Sequence, residues 1–140
     1  PELITVKGQR LLKEADVIIY AGSLVNPALL DYAKAECEIY NSASMTLGEV
    51  IETITAAEQE GKMTVRLHTG DPAIYGAIQE QMDELSRRNI EYTVIPGVSS
   101  FLATAAALKQ EYTLPEISQT VIITRNEGRT PVPEKEKLNL

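Results

Sequence analysis

A short polar corner separates two apolar segments in the middle of the chain. The stretch VRLHTGDPAIYGAI leads from a strand-like run through Thr69, Gly70 and Asp71 into a second apolar run. Glycine lets a backbone approach a ligand closely, and a carboxylate accepts hydrogen bonds from hydroxyl or cationic groups. The same residues suit a plain strand-to-helix turn in which Asp71 caps a helix that Pro72 begins. A ligand site and a capped turn both fit this segment.

Two further corners of small residues follow other apolar runs. One is AGS, which contains Ser23, and the other is PGVSS, which contains Ser99 and Ser100. Open parallel sheets bind ligands beyond the carboxyl ends of their strands, so several such corners favour a ligand cleft. The G-x-G-x-x-G and G-x-x-x-x-G-K-[ST] phosphate motifs are absent, and Asp71 at a helix start would repel phosphate. A ligand with a sulfonium, an ammonium and a ribose, such as S-adenosylmethionine, suits these residues better.

The elements around the corners alternate between strand and helix patterns. Apolar runs predict five strands, at residues 17–20, 38–40, 63–68, 92–96 and 120–124. Helical spacing predicts helices at about 5–15 and 73–88, one after a Thr46–Glu49 capping box, and one in the small-residue run SSFLATAAAL. Gly61 is a suitable left-handed residue just past the helix that the capping box begins. The pattern predicts an α/β fold, a parallel sheet covered by helices.

The two ends of the chain do not fit a whole domain of this class. Pro1 leads directly into a helix pattern without the opening strand that such a domain usually has. We therefore expect a fragment that lacks its first strand, with one α/β domain at residues 1–128. The remainder, residues 129–140, is charged and proline-rich, which is typical of a linker or the start of a second domain.

Composition excludes several classes of function. The net charge is −7 and no cluster of five basic residues occurs, which disfavours nucleic-acid binding. One histidine and one cysteine, far apart in the chain, make a metal site improbable. No apolar run approaches membrane-spanning length and no signal peptide is visible, so we expect a cytoplasmic protein with no membrane partner.

Four segments in this order resemble the tetrapyrrole (precorrin) methylase family. They are ELITVKG, HTGDPAIYG, VIPGVSS and TRNEGRTPVP, and the resemblance extends over nearly the whole chain. The last segment is similar to the branch that methylates carbon 11 of precorrin-4 or cobalt-precorrin-4 in cobalamin biosynthesis. The resemblance implies S-adenosylmethionine as cofactor, bound between two α/β domains, and usually a homodimer. It also implies a strand and a GxGPGD loop just before Pro1, and a fragment that is inactive alone.

The resemblance also implies roles for individual residues. The cofactor site would include Thr69, Gly70, Asp71, Ile74, Ser99 and Ser100. The precorrin-type substrate carries many acetate and propionate groups, and arginine binds carboxylates through two parallel hydrogen bonds. The candidate substrate residues are Lys7, Ser23, Arg125 and Arg129. The competing interpretations are a solvated lysine, a serine without a task, and an interdomain ion pair for the two arginines.

Two questions of chemistry stay open. His68 ends a strand beside the corner, where a hydrogen-bonded structural histidine is expected more often than a general base. No other residue suggests itself as the group that handles protons. The alternatives to a C11-methyltransferase are another tetrapyrrole methylase, acting on uroporphyrinogen-III or precorrin-2, and a non-catalytic ligand-binding or oligomerisation module.

Overall fold

The computed structural model describes residues 1–125 and 131–136. The chain divides into two compact units, Pro1–Ala103 and Thr104–Leu140. The domain boundary predicted between residues 128 and 129 falls outside the described residues and stays a prediction. The α-helices are α1 (Val6–Glu14), α2 (Leu47–Gln59), α3 (Gln79–Arg87) and α4 (Ser100–Leu108). Short 3₁₀ helices occupy Gly22–Leu24, Pro27–Tyr32, Ser42–Ser44 and Glu134–Glu136.

The sheet lies in the first unit and is parallel throughout. Its strands are β1 (Val17–Tyr20), β2 (Glu38–Asn41) and β3 (Thr64–Leu67), in the order β2-β1-β3. Val17 pairs with Glu38 on one side and with Thr64 on the other. The parallel α/β class predicted from the sequence is confirmed for these strands. Parallel pairing puts the carboxyl ends of all three strands at one edge of the sheet, where the AGS and Thr69–Asp71 corners begin.

The central strand separates two apolar layers. Successive side chains of a strand point to opposite faces. On one face, Val17 and Ile19 pack with the buried residues of α2 and with Leu85 of α3. On the other face, Ile18 packs with Leu12 and Ala15 at the end of α1. Burial on both faces explains why β1 is an unbroken apolar run in the sequence.

Local signals set the bounds of α2. Thr46 Oγ1 accepts a hydrogen bond from the Glu49 N–H at 3.2 Å, and the Glu49 carboxylate accepts one from the Thr46 N–H at 2.7 Å. The predicted capping box is therefore confirmed. Gly61 follows the helix with φ +68°, the left-handed conformation that glycine adopts without strain.

Two of the five predicted strands are not formed. Within residues 1–125 and 131–136, segments 92–96 and 120–124 belong to no sheet ladder. Both have the composition of a strand, but a strand also needs a neighbour that hydrogen-bonds to its backbone. No strand of the sheet within these ranges pairs with either segment. The sheet of the described residues has three strands, and β3 is one of its edges.

The helix predicted from residue 73 to residue 88 begins later, at Gln79. Residues 72–75 form a turn instead, and Tyr75 and Ala77 have φ angles of 58° and 50°. A right-handed helix cannot continue through residues with positive φ. The prediction of a capped helix at Asp71 was wrong in that respect, although Asp71 does accept a hydrogen bond from the backbone two residues later.

Candidate functional site

Two corners of the chain are joined through the carboxylate of Asp71. Its Oδ1 accepts a hydrogen bond from the Ala73 N–H at 2.9 Å, which closes a local turn. Its Oδ2 accepts one from the Gly97 N–H at 3.0 Å. In return, the Asp71 N–H donates to Ser99 Oγ at 3.1 Å. The corner after β3 and the corner that precedes α4 therefore form one hydrogen-bonded structure, although 26 residues separate Asp71 from Gly97.

Glycines allow these two corners to approach. Gly70 has φ +65°, and a Cβ added to it would lie 3.2 Å from both the Cα and the Oγ of Ser99. A Cβ added to Gly97 would lie inside the contact distance of the Gly70 carbonyl oxygen and 3.3 Å from the Asp71 nitrogen. Side chains at either position would hold the two backbones apart. The backbone groups of both corners are thus within reach of a ligand that lies on the junction.

The structure brings together the residues that were predicted to bind a cofactor. Ser99 is buried, at 8% exposure, while Gly70 and Ile74 are half-buried and Thr69 and Ser100 are exposed. The Ile74 N–H donates to the Asp71 carbonyl at 3.1 Å, so Ile74 lies on the same turn. Ser99 Oγ accepts from the Asp71 N–H, and the Ser99 carbonyl accepts from Leu102 at 3.0 Å in the first turn of α4. These positions support the cofactor assignment without testing it.

The structure describes three of the four candidate substrate residues, and they lie in different parts of the chain. Lys7 lies in the first turn of α1 and Ser23 in the 3₁₀ helix after β1, and both are exposed. Arg125, in the second unit, donates from Nη2 to the Pro131 carbonyl at 3.1 Å. Arg129 lies outside the described residues. Substrate binding by these four side chains remains a prediction.

Arg66 is a functional candidate that the sequence analysis missed. Its guanidinium donates to the Ile19 carbonyl at 2.9 Å, to Ser42 Oγ at 2.9 Å and to Gln81 Oε1 at 3.1 Å. Ser42 Oγ donates in turn to the Tyr20 carbonyl at 3.1 Å. Burial lowers the pKa of Arg66 from its ordinary value. The one arginine thereby ties β3 to the central strand, to the corner after β2 and to α3. The signal for it was a charge in the middle of the apolar run MTVRLH.

His68 follows β3 at the same edge, and its Nε2 atom is buried. Within the part of the chain that the structure describes, this atom has no hydrogen-bond partner. Burial, and after it the charge of Arg66, lower the pKa of His68 to about 4. The expectation of a fully hydrogen-bonded structural histidine was therefore wrong. At neutral pH the ring is uncharged and retains an unused polar atom.

The lowered pKa of His68 predicts a dependence of stability on pH. The unfolded imidazole protonates near pH 6.5 and the folded one near pH 4, so the unfolded state binds more protons between these values. Folding stability should therefore fall as the pH drops from 6.5 to 4. The loss should be about 1–2 kcal/mol, because solvent screening weakens the effect for a partly exposed ring. Urea unfolding at pH 7.5 and pH 5 would measure it.

A His68→Gln variant is the control for this experiment, because its carboxylates titrate as in the unaltered chain and cancel in the difference. The difference in unfolding free energy between the two proteins should change between pH 7.5 and pH 5. If the unfolding free energies of the two proteins changed with pH in parallel, His68 would not be the source of the pH dependence.

The described residues contain neither a metal-binding cluster nor a membrane-spanning helix. They contain no group of three or more His, Cys, Asp and Glu side chains placed to hold a metal ion. In the same ranges, no helix has both the length and the apolar character needed to cross a bilayer.

Curated relatives are similar in sequence to this chain over almost its full length. A cobalt-precorrin-4 C(11)-methyltransferase of Methanocaldococcus jannaschii is 66% identical over 138 residues, which cover 99% of this chain and 53% of the relative. A precorrin-4 C(11)-methyltransferase of Pseudomonas aeruginosa is 48% identical, with 99% of this chain and 55% of the relative covered. The chain thus spans about half the length of these relatives.

Solved structures share the fold. The X-ray structure of a cobalt precorrin-4 methyltransferase of cobalamin biosynthesis matches with a TM-score of 0.93 and 53% identity, covering 98% of this chain and 57% of that one. A uroporphyrin-III C-methyl transferase from Thermus thermophilus, complexed with S-adenyl homocysteine, matches with a TM-score of 0.61 and 34% identity. That match covers 75% of this chain and 43% of that one. The family model of Tetrapyrrole (Corrin/Porphyrin) Methylases matches residues 1–139. The chain therefore belongs to the tetrapyrrole methylase family.

Proposed function

We propose that the protein is an S-adenosylmethionine-dependent methyltransferase that acts on carbon 11 of cobalt-precorrin-4 or precorrin-4 in cobalamin biosynthesis. The observation that carries this proposal is 66% identity, over 99% of the chain, to an enzyme named for that reaction on the cobalt substrate. Identity to the precorrin-4 C(11)-methyltransferase of Pseudomonas aeruginosa is lower, at 48%, which favours the cobalt-containing substrate. In this proposal cobalt is part of the substrate.

The junction of the two corners suits the cofactor. S-adenosylmethionine carries no phosphate, and the site accordingly offers small residues and backbone groups instead of a phosphate loop. We assign contacts with the cofactor to Thr69, Gly70, Ile74 and Ser100. Asp71 and Ser99 already bond to each other's corners, so their part in binding is to hold the surface in shape. A neighbour that contains S-adenyl homocysteine supports this choice of cofactor.

The chemistry requires alignment more than acid–base catalysis. The bound cofactor supplies a methyl group that its sulfonium already activates. The protein's part is to hold the nucleophilic carbon, the methyl carbon and the sulfur in line and to exclude water, and orientation of this kind is worth roughly 7–11 kcal/mol. The rigid link between the corners provides a fixed surface for one of the two reactants. Lys7, Ser23, Arg125 and Arg129 are assigned to the carboxylates of the substrate.

The proposal also covers the location, the oligomeric state and the domain content of the active protein. We place the active protein in the cytoplasm as a homodimer in which a second domain completes the cofactor cleft. The chain accounts for about half of the relatives' length, which supports catalysis by the longer protein and not by this part alone.

A methylation assay with the full-length protein tests the proposed function. The protein is incubated with S-adenosylmethionine labelled with carbon-13 in the methyl group, and separately with cobalt-precorrin-4, precorrin-4, precorrin-2 and uroporphyrinogen-III. Carbon NMR should locate the new methyl group at carbon 11, with the cobalt substrate consumed faster than the metal-free one. A new methyl group at any other carbon would assign the protein to another branch of the family.

Calorimetry separates the methylase from a module that binds no cofactor. The same protein should bind S-adenosylhomocysteine with one site per chain. A well-folded full-length protein that binds none would overturn both the cofactor and the reaction.

A further inference from the structure

The turn that follows the Thr69–Asp71 corner has a strained backbone. Tyr75 and Ala77 have φ angles of 58° and 50°, in the left-handed region that bulky side chains rarely adopt. Asn89 and Lys109 also have positive φ, but they follow the ends of α3 and α4, where a left-handed residue commonly ends a helix. Tyr75 and Ala77 follow no helix, so helix capping does not explain their conformation. Strain of this kind persists where the surrounding structure enforces it, and it is concentrated at functional sites.

Hydrogen bonds hold this turn at both ends. At its start, Asp71 accepts hydrogen bonds from the backbone N–H groups two and three residues later. At its end, Gln81 Nε2 donates to the Ala77 carbonyl at 3.1 Å. The other atom of that amide, Gln81 Oε1, accepts from the Arg66 guanidinium, which also donates to the Ile19 carbonyl in the central strand. The sheet therefore fixes the conformation of the turn through Arg66 and Gln81.

The fixed turn carries an exposed aromatic ring. Tyr75 is 61% exposed, although Ile74 before it and Gly76 after it are half-buried. A Cβ added to Gly76 would overlap the Pro72 carbonyl, so the backbone of the turn folds closely on itself. Tyrosine loses little conformational entropy on binding, because two χ angles define its side chain. An exposed ring on a fixed backbone is a suitable contact for a flat, unsaturated ligand.

We propose that Tyr75 is a substrate-binding residue whose ring lies against the flat face of the tetrapyrrole. This inference rests on the proposed function. The cofactor is assigned to the junction of the two corners, and Asp71, four residues before Tyr75, holds that junction together. A macrocycle of four pyrrole-derived rings cannot lie on the junction alone when only its carbon 11 meets the methyl group. Its remaining rings must cover adjoining segments, and the turn at Tyr75 directly adjoins the junction.

The exposure of neighbouring side chains favours the substrate over the adenine of the cofactor. Ile74, which is assigned to the cofactor, is half-buried, while the ring of Tyr75 is directed away from the packed side of the turn. The carboxylates of the substrate lie on its periphery and its face is apolar. Cationic side chains therefore suit its edge, and an aromatic side chain suits its face.

Three variants of the full-length protein test the proposal. Tyr75→Asn and Tyr75→Gly both remove the ring, and asparagine and glycine both tolerate the left-handed backbone, so the turn should keep its conformation. Tyr75→Phe keeps the ring and is the matched control. The binding probe is uroporphyrin III, a stable planar tetrapyrrole, titrated by the change in its visible absorption. The KM for cobalt-precorrin-4 and the calorimetric Kd for S-adenosylhomocysteine are measured on the same proteins.

Removal of the ring should weaken uroporphyrin binding and raise the KM for cobalt-precorrin-4 by about 10-fold each, the effect of a lost stacking contact together with its buried area. Tyr75→Phe should stay within about 3-fold of the unaltered protein, and every variant should bind S-adenosylhomocysteine within about 2-fold of it. Unchanged tetrapyrrole binding in a Tyr75→Asn or Tyr75→Gly variant that unfolds at the same urea concentration as the unaltered protein would overturn the proposal. Weaker binding of S-adenosylhomocysteine alone would also overturn it, by assigning the ring to the adenine.

This proposal and the proposed function can fail separately. If the full-length protein methylates another carbon, or none, the uroporphyrin titration still decides the role of Tyr75. If carbon 11 is methylated and removal of the ring changes neither tetrapyrrole affinity, only the assignment of Tyr75 fails. An unaltered protein that binds neither tetrapyrrole would overturn both proposals.

Discussion

A Gly97→Ala variant is expected to lose about 3–5 kcal/mol of folding stability. The added methyl group would overlap the Gly70 carbonyl and press on the Asp71 nitrogen, so the two backbones must separate. Overpacking of this kind costs about 1–3 kcal/mol. Separation also breaks the bond from the Gly97 N–H to the Asp71 carboxylate, and a hydrogen bond to a charged group is worth about 1.5–3 kcal/mol.

Urea unfolding of the two proteins measures the effect, and Gly48→Ala is the matched control. Gly48 lies in α2, where an added Cβ meets only Thr46 Oγ1, at 3.9 Å. Alanine there should stabilise the helix by up to about 1 kcal/mol, because glycine is the poorer helix former. A Gly97→Ala variant within 0.5 kcal/mol of the unaltered protein, as a rough limit set by ordinary surface substitutions, would contradict the close approach of the corners.

The second large effect is expected from Arg66→Met, which should lower the free energy of unfolding by about 2–4 kcal/mol. Methionine keeps most of the apolar stem of the side chain, but the Ile19 carbonyl loses the hydrogen bond that it accepts from the Arg66 guanidinium. Ile19 is fully buried, so water does not readily replace the lost donor. The bonds to Ser42 and Gln81 are lost as well, which removes one link from β3 to the corner after β2 and one link from β3 to α3.

Two further substitutions show whether the three-way bonding is responsible. Arg66→Lys keeps the positive charge but cannot reach three acceptors with one planar group, so it should recover less than half of the loss. Arg10→Met removes a charge from an exposed position of α1 and should change stability by less than about 0.5 kcal/mol. If Arg66→Lys were as stable as the unaltered chain, charge alone would explain the role of Arg66.

Local signals were sufficient for some elements of the fold. The run VIIY predicts β1 because burial on both faces selects an unbroken apolar segment. Thr46 and Glu49 predict the start of α2 because both partners of the capping box lie within one turn. Neither case depends on distant parts of the chain.

The errors have a different physical origin. Segment 92–96 has the composition of a strand, but whether it pairs depends on a backbone neighbour that the segment itself cannot specify. The helix after Pro72 has suitable spacing from residue 73 onward, yet Tyr75 and Ala77 adopt positive φ, for which neither side chain gives a signal. Gly76 was the one local sign of a break in the helix.

The candidate site was predicted in part. The small residues of the two corners indicated a ligand cleft, and the structure brings Gly70, Asp71 and Ser99 together. Arg66 could not be assigned because its three acceptors come from β1, the corner after β2 and α3. A residue whose partners are all distant in the chain leaves only its unexpected charge as a signal.

The bonding of Asp71 has a consequence for how the two corners move. The Asp71 carboxylate accepts one hydrogen bond from its own turn and one from the opposite turn, and the Asp71 backbone N–H donates to Ser99. The amide hydrogens of Asp71 and Gly97 should therefore exchange with solvent through a single shared opening event. A molecule that displaces one turn must also displace the other, so the two turns move together as one rigid unit.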